Sequence, residues 1–416
     1  MKKAILLLSL FFICNLNICA QRNEILDKNI ASLQVVANND WLSLPIINLR
    51  ENDFINISFD DLTHEYHRYC YKIEHCEADW KISSGLFESD YIDGFASGNT
   101  IDNIHESINT VHLYTHYAFT FPNDKCRPKL SGNYRVTIYD ENDENDEKHV
   151  ICKAYFMIVD PSMAVHLNVT TNTDIDINGR HQQVGMTVDY GNNTVSNPQT
   201  QIKTVVMQNC RWDNAVINAR PQYIKANGLQ WNHCKDYIFD GGNEYRKFET
   251  LDVTHTTMGL ESINWDGQNY HAWVWTDEAR PSYIYDKDAN GAFMIRNSDN
   301  IDNDITSEYV ITHFRLKTPL VTYPIYINGF FTYDRFLPEY EMKWNDTKQQ
   351  YENKLLLKQG YYSYQYLMMK EDGKLKPVPS EGSFSQTENT YQALVYFKAN
   401  GDRTDQLVGY AFGKWN

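Results

Sequence analysis

Apolar and polar side chains alternate with a period of two along much of this chain. Phe54-Ile55-Asn56-Ile57-Ser58-Phe59, Tyr134-Arg135-Val136-Thr137-Ile138-Tyr139, Val184-Gly185-Met186-Thr187-Val188-Asp189-Tyr190 and Ala393-Leu394-Val395-Tyr396-Phe397 are the clearest runs. A period of two puts one apolar face on a pleated strand, and long stretches with the helical period of 3.6 are missing, so the pattern predicts an all-β protein. Asn178-Gly179, Asn328-Gly329, Asp372-Gly373 and Asn400-Gly401-Asp402 supply turn signals between such runs. Asp160-Pro161 and Thr318-Pro319 each separate one strand run from the next, at a residue that resists continuation of a ladder. These two seams predict three consecutive β-sandwich domains over residues 21–160, 161–318 and 319–416, each of ordinary sandwich size.

The first twenty residues break the pattern. Lys2 and Lys3 precede an apolar run from Ala4 to Ile13, and Ala20 ends the segment, which predicts a secretory signal peptide over residues 1–20. Ile18 is too bulky to precede a lipidated Cys19. Beyond this segment no run approaches the roughly 18 apolar residues that cross a bilayer as a helix. Removing Lys2 and Lys3 leaves 36 basic against 54 acidic side chains, a net charge of −18. Such a surface repels nucleic acid and anionic lipid, which argues against either as partner.

Six cysteines lie beyond the signal: Cys70, Cys76, Cys126, Cys152, Cys210 and Cys234. An oxidising compartment permits disulfides, and six cysteines allow fifteen connectivities. On one extended strand Cys70 and Cys76 would sit roughly 20 Å apart, too far to pair with each other.

Candidate chemistry is sparse. The acidic run Asp140 to Glu147 reads as a solvated hairpin tip, since no Gly fixes a coordination loop within it. Asp174-Ile175-Asp176-Ile177-Asn178-Gly179 begins like a calcium loop, but its twelfth position is Gly185 instead of Glu, so a hairpin is expected. His64 with His67, and His112 with His116, have spacings that deny them a common ion on a strand. No G-x-S-x-G elbow, Walker loop, H-E-x-x-H or dinucleotide Gly pattern occurs, so no catalytic residue, metal or cofactor is expected. Tyr361, Tyr362, Tyr364 and Tyr366, near Tyr340 and Trp344, could stack on sugars, but alternation favours core packing with partner contact.

Ordered motifs carry a resemblance. Ile57-Ser58-Phe59-Asp60-Asp61-Leu62, Tyr71-Lys72-Ile73-Glu74-His75-Cys76-Glu77-Ala78-Asp79-Trp80, Tyr91-Ile92-Asp93-Gly94-Phe95, Tyr114-Thr115-His116-Tyr117 and Pro128-Lys129-Leu130-Ser131-Gly132-Asn133-Tyr134 resemble the first domain of the type IX secretion system plug protein family. Gln208-Asn209-Cys210-Arg211-Trp212-Asp213, Phe239 to Arg246 and Glu381 to Phe397 extend the likeness over nearly the whole mature chain. The resemblance implies a periplasmic, non-catalytic protein. It would dock on a very large outer-membrane β-barrel translocon from the inner face, peripheral to the membrane, and block the barrel's opening.

It further implies that Phe59, Asp60, Asp61, Glu74, His75, Cys76, Asp79, Trp80, Asp93, Gly94, Trp212 and Asp213 hold the fold or contact the barrel. Asp60, Asp61, Glu74, Asp79 and Asp93 are polar enough to be surface contacts. A folded body of this length, with a radius of gyration of roughly 21 Å, could cover an opening of tens of ångströms. The last piece is similar to early-set, immunoglobulin-like modules of the glycogen-binding type, which makes a periplasmic or surface glycan-binding protein the alternative. A glycoside-active enzyme with two facing carboxylates and a small outer-membrane barrel are further readings.

Overall fold

The computed structural model describes residues 22–141 and 149–415. The signal segment and most of the acidic run lie outside the described residues. Strands paired into several antiparallel sheets make up the architecture, and the chain is all-β.

In the first unit, Val150–Val159, Gly132–Asp140 and Tyr69–Cys76 form the middle of one sheet. Ile30–Ala37, Ile55–Asp61, Thr115–Phe121 and Asn103–Glu106 form the sheet that faces it. The alternating runs meet between them: Ile55, Ile57 and Phe59 from one sheet and Tyr134, Val136 and Ile138 from the other are fully buried.

The second unit pairs Ala164–Thr170, His181–Asp189, Gly228–Trp231 and Tyr223–Lys225 in one sheet, against Val216–Ile217, Ile202–Gln208, Thr390–Phe397 and Gln406–Lys414 in the other. Val205 lies opposite Leu394, so the end of the chain completes this sandwich. The residues between make the third unit, one continuous eleven-stranded sheet running from Arg246–Thr250 through Gly360–Met369, Gln350–Lys358 and Tyr309–Lys317 to Leu260–Trp265.

The expected division at residue 318 and the consecutive order of domains are therefore corrected. Tyr309–Lys317 pairs residue by residue with Gln350–Lys358, so one ladder spans the supposed boundary. Thr390–Phe397 and Gln406–Lys414 belong with the second unit. Pro319 ends a strand, as its missing N–H requires, but a strand end is not a unit boundary. The hydrophobic pattern identifies strands and carries no information about their partners.

Candidate functional site

Several of the motif residues, Asp60, Trp80 and Trp212 among them, lie at the seams between units. At the seam of the first and second, the chain leaves Tyr69–Cys76 through a tight turn that ends at Trp80, in left-handed conformation at φ 64°. That turn delivers the indole edge-on to Trp212 and to Tyr155, each with a centroid separation of 5.6 Å. Leu44, Met157, Val205, Met207, Leu394 and Leu407 close around them as one apolar cluster drawn from both units.

Polar groups frame this cluster. Asp405 accepts from Lys203 Nζ at 2.6 Å and from the Ala78 N–H at 3.0 Å, while Glu77 accepts from the Asp405 N–H at 3.0 Å. His75 is buried, with Nδ1 2.8 Å from Ser83 Oγ and Nε2 3.1 Å from the Ser131 carbonyl oxygen. Burial holds its pKa below the ordinary imidazole value, so the ring is neutral at physiological pH. A side chain on Gly132 would meet His75 Nε2 at 2.4 Å, and its φ of 143° suits glycine alone.

At the seam of the first and third units, Asp60 is fully buried. Its carboxylate accepts from His116 Nδ1 at 2.7 Å and, at 2.6 Å each, from the Tyr309 hydroxyl and Lys358 Nζ. Lys358 Nζ also lies 4.1 Å from the centre of the Tyr114 ring, a cation–π contact. Burial opposes ionisation of Asp60, but the Lys358 ammonium and His116 outweigh it and hold the carboxyl below the usual range. Nearby, the Glu308 carboxylate of the third unit accepts the backbone N–H groups of Val111 and His112.

The expectation that Asp60, Asp61 and Glu74 are surface contacts is thus corrected. Ser58 and Asp60 do point away from the Ile57 and Phe59 side of their strand, but that side is covered by the third unit instead of water. Asp61 is fully buried and accepts from Tyr69 Oη at 2.9 Å, with His67 Nδ1 at 2.6 Å. Glu74 is clasped by Arg135 at 2.7 Å and Lys72 at 2.8 Å.

Asp79 and Asp93 are exposed. Phe59 stacks on Tyr117 in the first core, at a centroid separation of 5.4 Å. Cys76 is a buried free thiol whose pKa burial pushes up to about 12, which leaves it unreactive. Gly94, at φ 100°, brings its backbone against the Lys125 carbonyl oxygen, where a Cβ would stand 2.2 Å away. Asp213 accepts a fork from Arg211, Nε to Oδ1 at 3.0 Å and Nη2 to Oδ2 at 2.5 Å, beside Trp212.

Lys358, Tyr309 and Glu308 were missed, because a lone lysine, tyrosine or glutamate on or beside an alternating strand gives no sign of its partner. The seam of the second and third units was half visible. Arg246, the last residue of one motif, binds Asp277 at 2.7 Å and Glu381 at 2.8 Å.

The tyrosine run is core, not platform. Tyr362, Tyr364 and Tyr366 are buried, and the last two donate to Asp277 at 2.8 Å each. A polar cavity of about 280 Å³ lies between the second and third units, lined by Arg211, Asp213, Asn243 and Gln365. Arg211 and Asp213 are tied to each other there, and Gln365 donates to Tyr245 Oη at 2.7 Å. Among the described residues no three His, Cys, Asp or Glu side chains gather as metal ligands, and no helix is long and apolar enough to cross a membrane. Buried charges such as Asp60, Asp213, Asp277 and Glu381 are each met by an opposite charge.

Comparison with known proteins agrees with the motifs. Residues 30–160 match the family described as type 9 secretion system plug protein 1st domain. The chain is similar to a hypothetical protein from Parabacteroides merdae, whose crystal structure it matches with a TM-score of 0.91 and 36% identity, over 95% of this chain and all of that one. None of the curated proteins matches. The first unit spans the family region, and the chain belongs to the type IX secretion system plug protein family.

Proposed function

We propose that the chain is a non-enzymatic component of the type IX secretion system that docks on the periplasmic opening of the outer-membrane translocon barrel and occludes it. Export through the segment at residues 1–20 would deliver it to the periplasm, where it stays peripheral to the inner face of the outer membrane. One observation carries the reading: Asp60, Trp80 and Trp212 of the motif residues are spent inside the seams. A buried salt bridge ties the first unit to the third and a shared apolar cluster ties it to the second, which makes the three a stiff body able to cover an opening. Breaking a buried ion pair leaves an uncompensated charge, so such seams resist flexing.

A reversible seal also suits a polar, transient-type outer surface better than a large dry one. The test is recovery of partners from gently solubilised envelopes with the tagged, full-length protein. A large outer-membrane barrel should co-purify, and its absence sinks the reading.

A further inference from the structure

Three loops converge where the first and third units meet, and Tyr114 is their common anchor. Its carbonyl oxygen lies 3.2 Å from His64 Nδ1 and accepts the Ser107 N–H at 2.9 Å, while its hydroxyl donates to the Ser307 carbonyl at 2.8 Å. The Ile108 N–H is bound to the Ile305 carbonyl at 2.8 Å, which ties the second loop to the third. Loops 62–68, 104–114 and 298–306 therefore form one surface.

That surface is apolar and exposed: Tyr66 is 70% accessible, Ile301 66%, Leu113 50%, Val111 49% and Ile108 48%. The same loops carry the exposed carboxylates Glu65, Glu106, Asp299, Asp302 and Asp304. Their one cation is Arg68, which is paired with Glu141 at 2.9 Å. His64, His67, His105 and His112 also lie in these loops. A cluster of exposed apolar side chains rimmed by polar groups marks an interaction site.

We propose that this surface is the contact through which the chain docks on the translocon, and that the matching rim of the barrel is apolar with flanking lysines and arginines. The inference rests on the plug reading and names its docking face. Charge complementarity selects the occupant: five carboxylates repel an anionic lipid surface and a second copy of the same face, whereas a basic rim is attracted and steered. The anchoring hydrogen bonds hold the loops in place before contact, which lowers the ordering cost of docking.

The experiment measures barrel recovered by the tagged, full-length protein and by three variants, each checked for an unchanged melting temperature. Val111→Glu with Leu113→Glu should lower recovery at least tenfold. Glu106→Lys with Asp299→Lys and Asp302→Lys, all exposed, should lower it severalfold and weaken its dependence on salt. Ile224→Glu, at an exposed strand of the second unit, should leave it unchanged.

If both loop variants fold and recover as much barrel as the wild type, this docking face is wrong while the plug reading stands. If the wild type itself recovers none, both fall. Two other results would overturn the proposal: wild-type self-association, or binding to phosphatidylglycerol vesicles, that the loop variants abolish while barrel recovery is unchanged. The face would then serve a second copy or a lipid surface.

Discussion

The first unit is fastened on one side by rings and methyl groups and on the other by an ionised carboxylate. Against the second unit, Trp80, Tyr155 and Trp212 interlock within a cluster of apolar side chains. Against the third, Asp60, Lys358, His116 and Tyr309 exchange hydrogen bonds out of reach of water. The apolar seam tolerates imperfect partners, since its attraction has no direction. The charged seam depends on each member, because removing one strands another. Two seams of such different chemistry fix the first unit relative to both neighbours, and they should fail under different stresses.

The largest expected effect comes from stranding the carboxylate. Lys358→Ala should cost about 3–5 kcal/mol in denaturant unfolding. The paired change Asp60→Leu with Lys358→Met should restore much of that loss, since it removes both charges together. If the pair is no more stable than Lys358→Ala alone, the ion pair is not what Lys358 contributes. Acid should act on the same seam. The Asp60 carboxyl is held below its unfolded value, so its contribution is present above the ordinary carboxylate pKa and disappears as pH falls through the lowered one. Hydrogen exchange in Tyr309–Lys317 should accelerate in acid before exchange around Trp80 does.

A third contact sharpens the contrast. Asp288, near the passage from the second unit to the third, accepts from the backbone N–H groups of Tyr245 and Asn290. Burial accordingly pushes its pKa up to about 7. The native state then binds a proton that the unfolded chain has released, so this contribution is full at low pH and is lost as pH rises to 7. Between pH 5.5 and 7.5 the loss should be roughly 2 kcal/mol. Neutral His75 slopes the other way as pH rises, so the quantity to measure is the difference between wild type and Asp288→Asn. That difference should change with pH over this window and level off above it. A difference that stays flat would mean that Asp288 is ionised throughout.

Strand content was legible because alternation is local: Ile55, Ile57 and Phe59 point inward as their spacing requires. What covers the opposite face was not legible. The same rule sent Asp60 outward and could not say that Lys358, almost three hundred positions later, would meet it. The apolar seam was easier to anticipate, since Trp80 and Trp212 both stand in motifs and large rings seek burial wherever the chain permits. Pairing of the chain's end with Ile202–Gln208 had no local signal, because Ala393 to Phe397 would read the same against any apolar neighbour.

The smallest effect tests whether the apolar seam depends on shape or on area. Trp80 Nε1 is buried and has no hydrogen-bond partner among the described residues. Trp80→Phe therefore changes two terms of opposite sign. Losing part of the indole costs about 1 kcal/mol in apolar burial, with some addition for the cavity left behind. Removing an unsatisfied buried donor returns about 1–3 kcal/mol. The net change should stay within about 1 kcal/mol of the wild type and be indifferent to salt, whereas Trp80→Ala, which loses the ring entirely, should cost about 3–5 kcal/mol. A Phe variant as damaged as the Ala variant would mean that the indole's full outline is what seats Trp212 and Tyr155. The apolar seam would then be as dependent on a single member as the charged one.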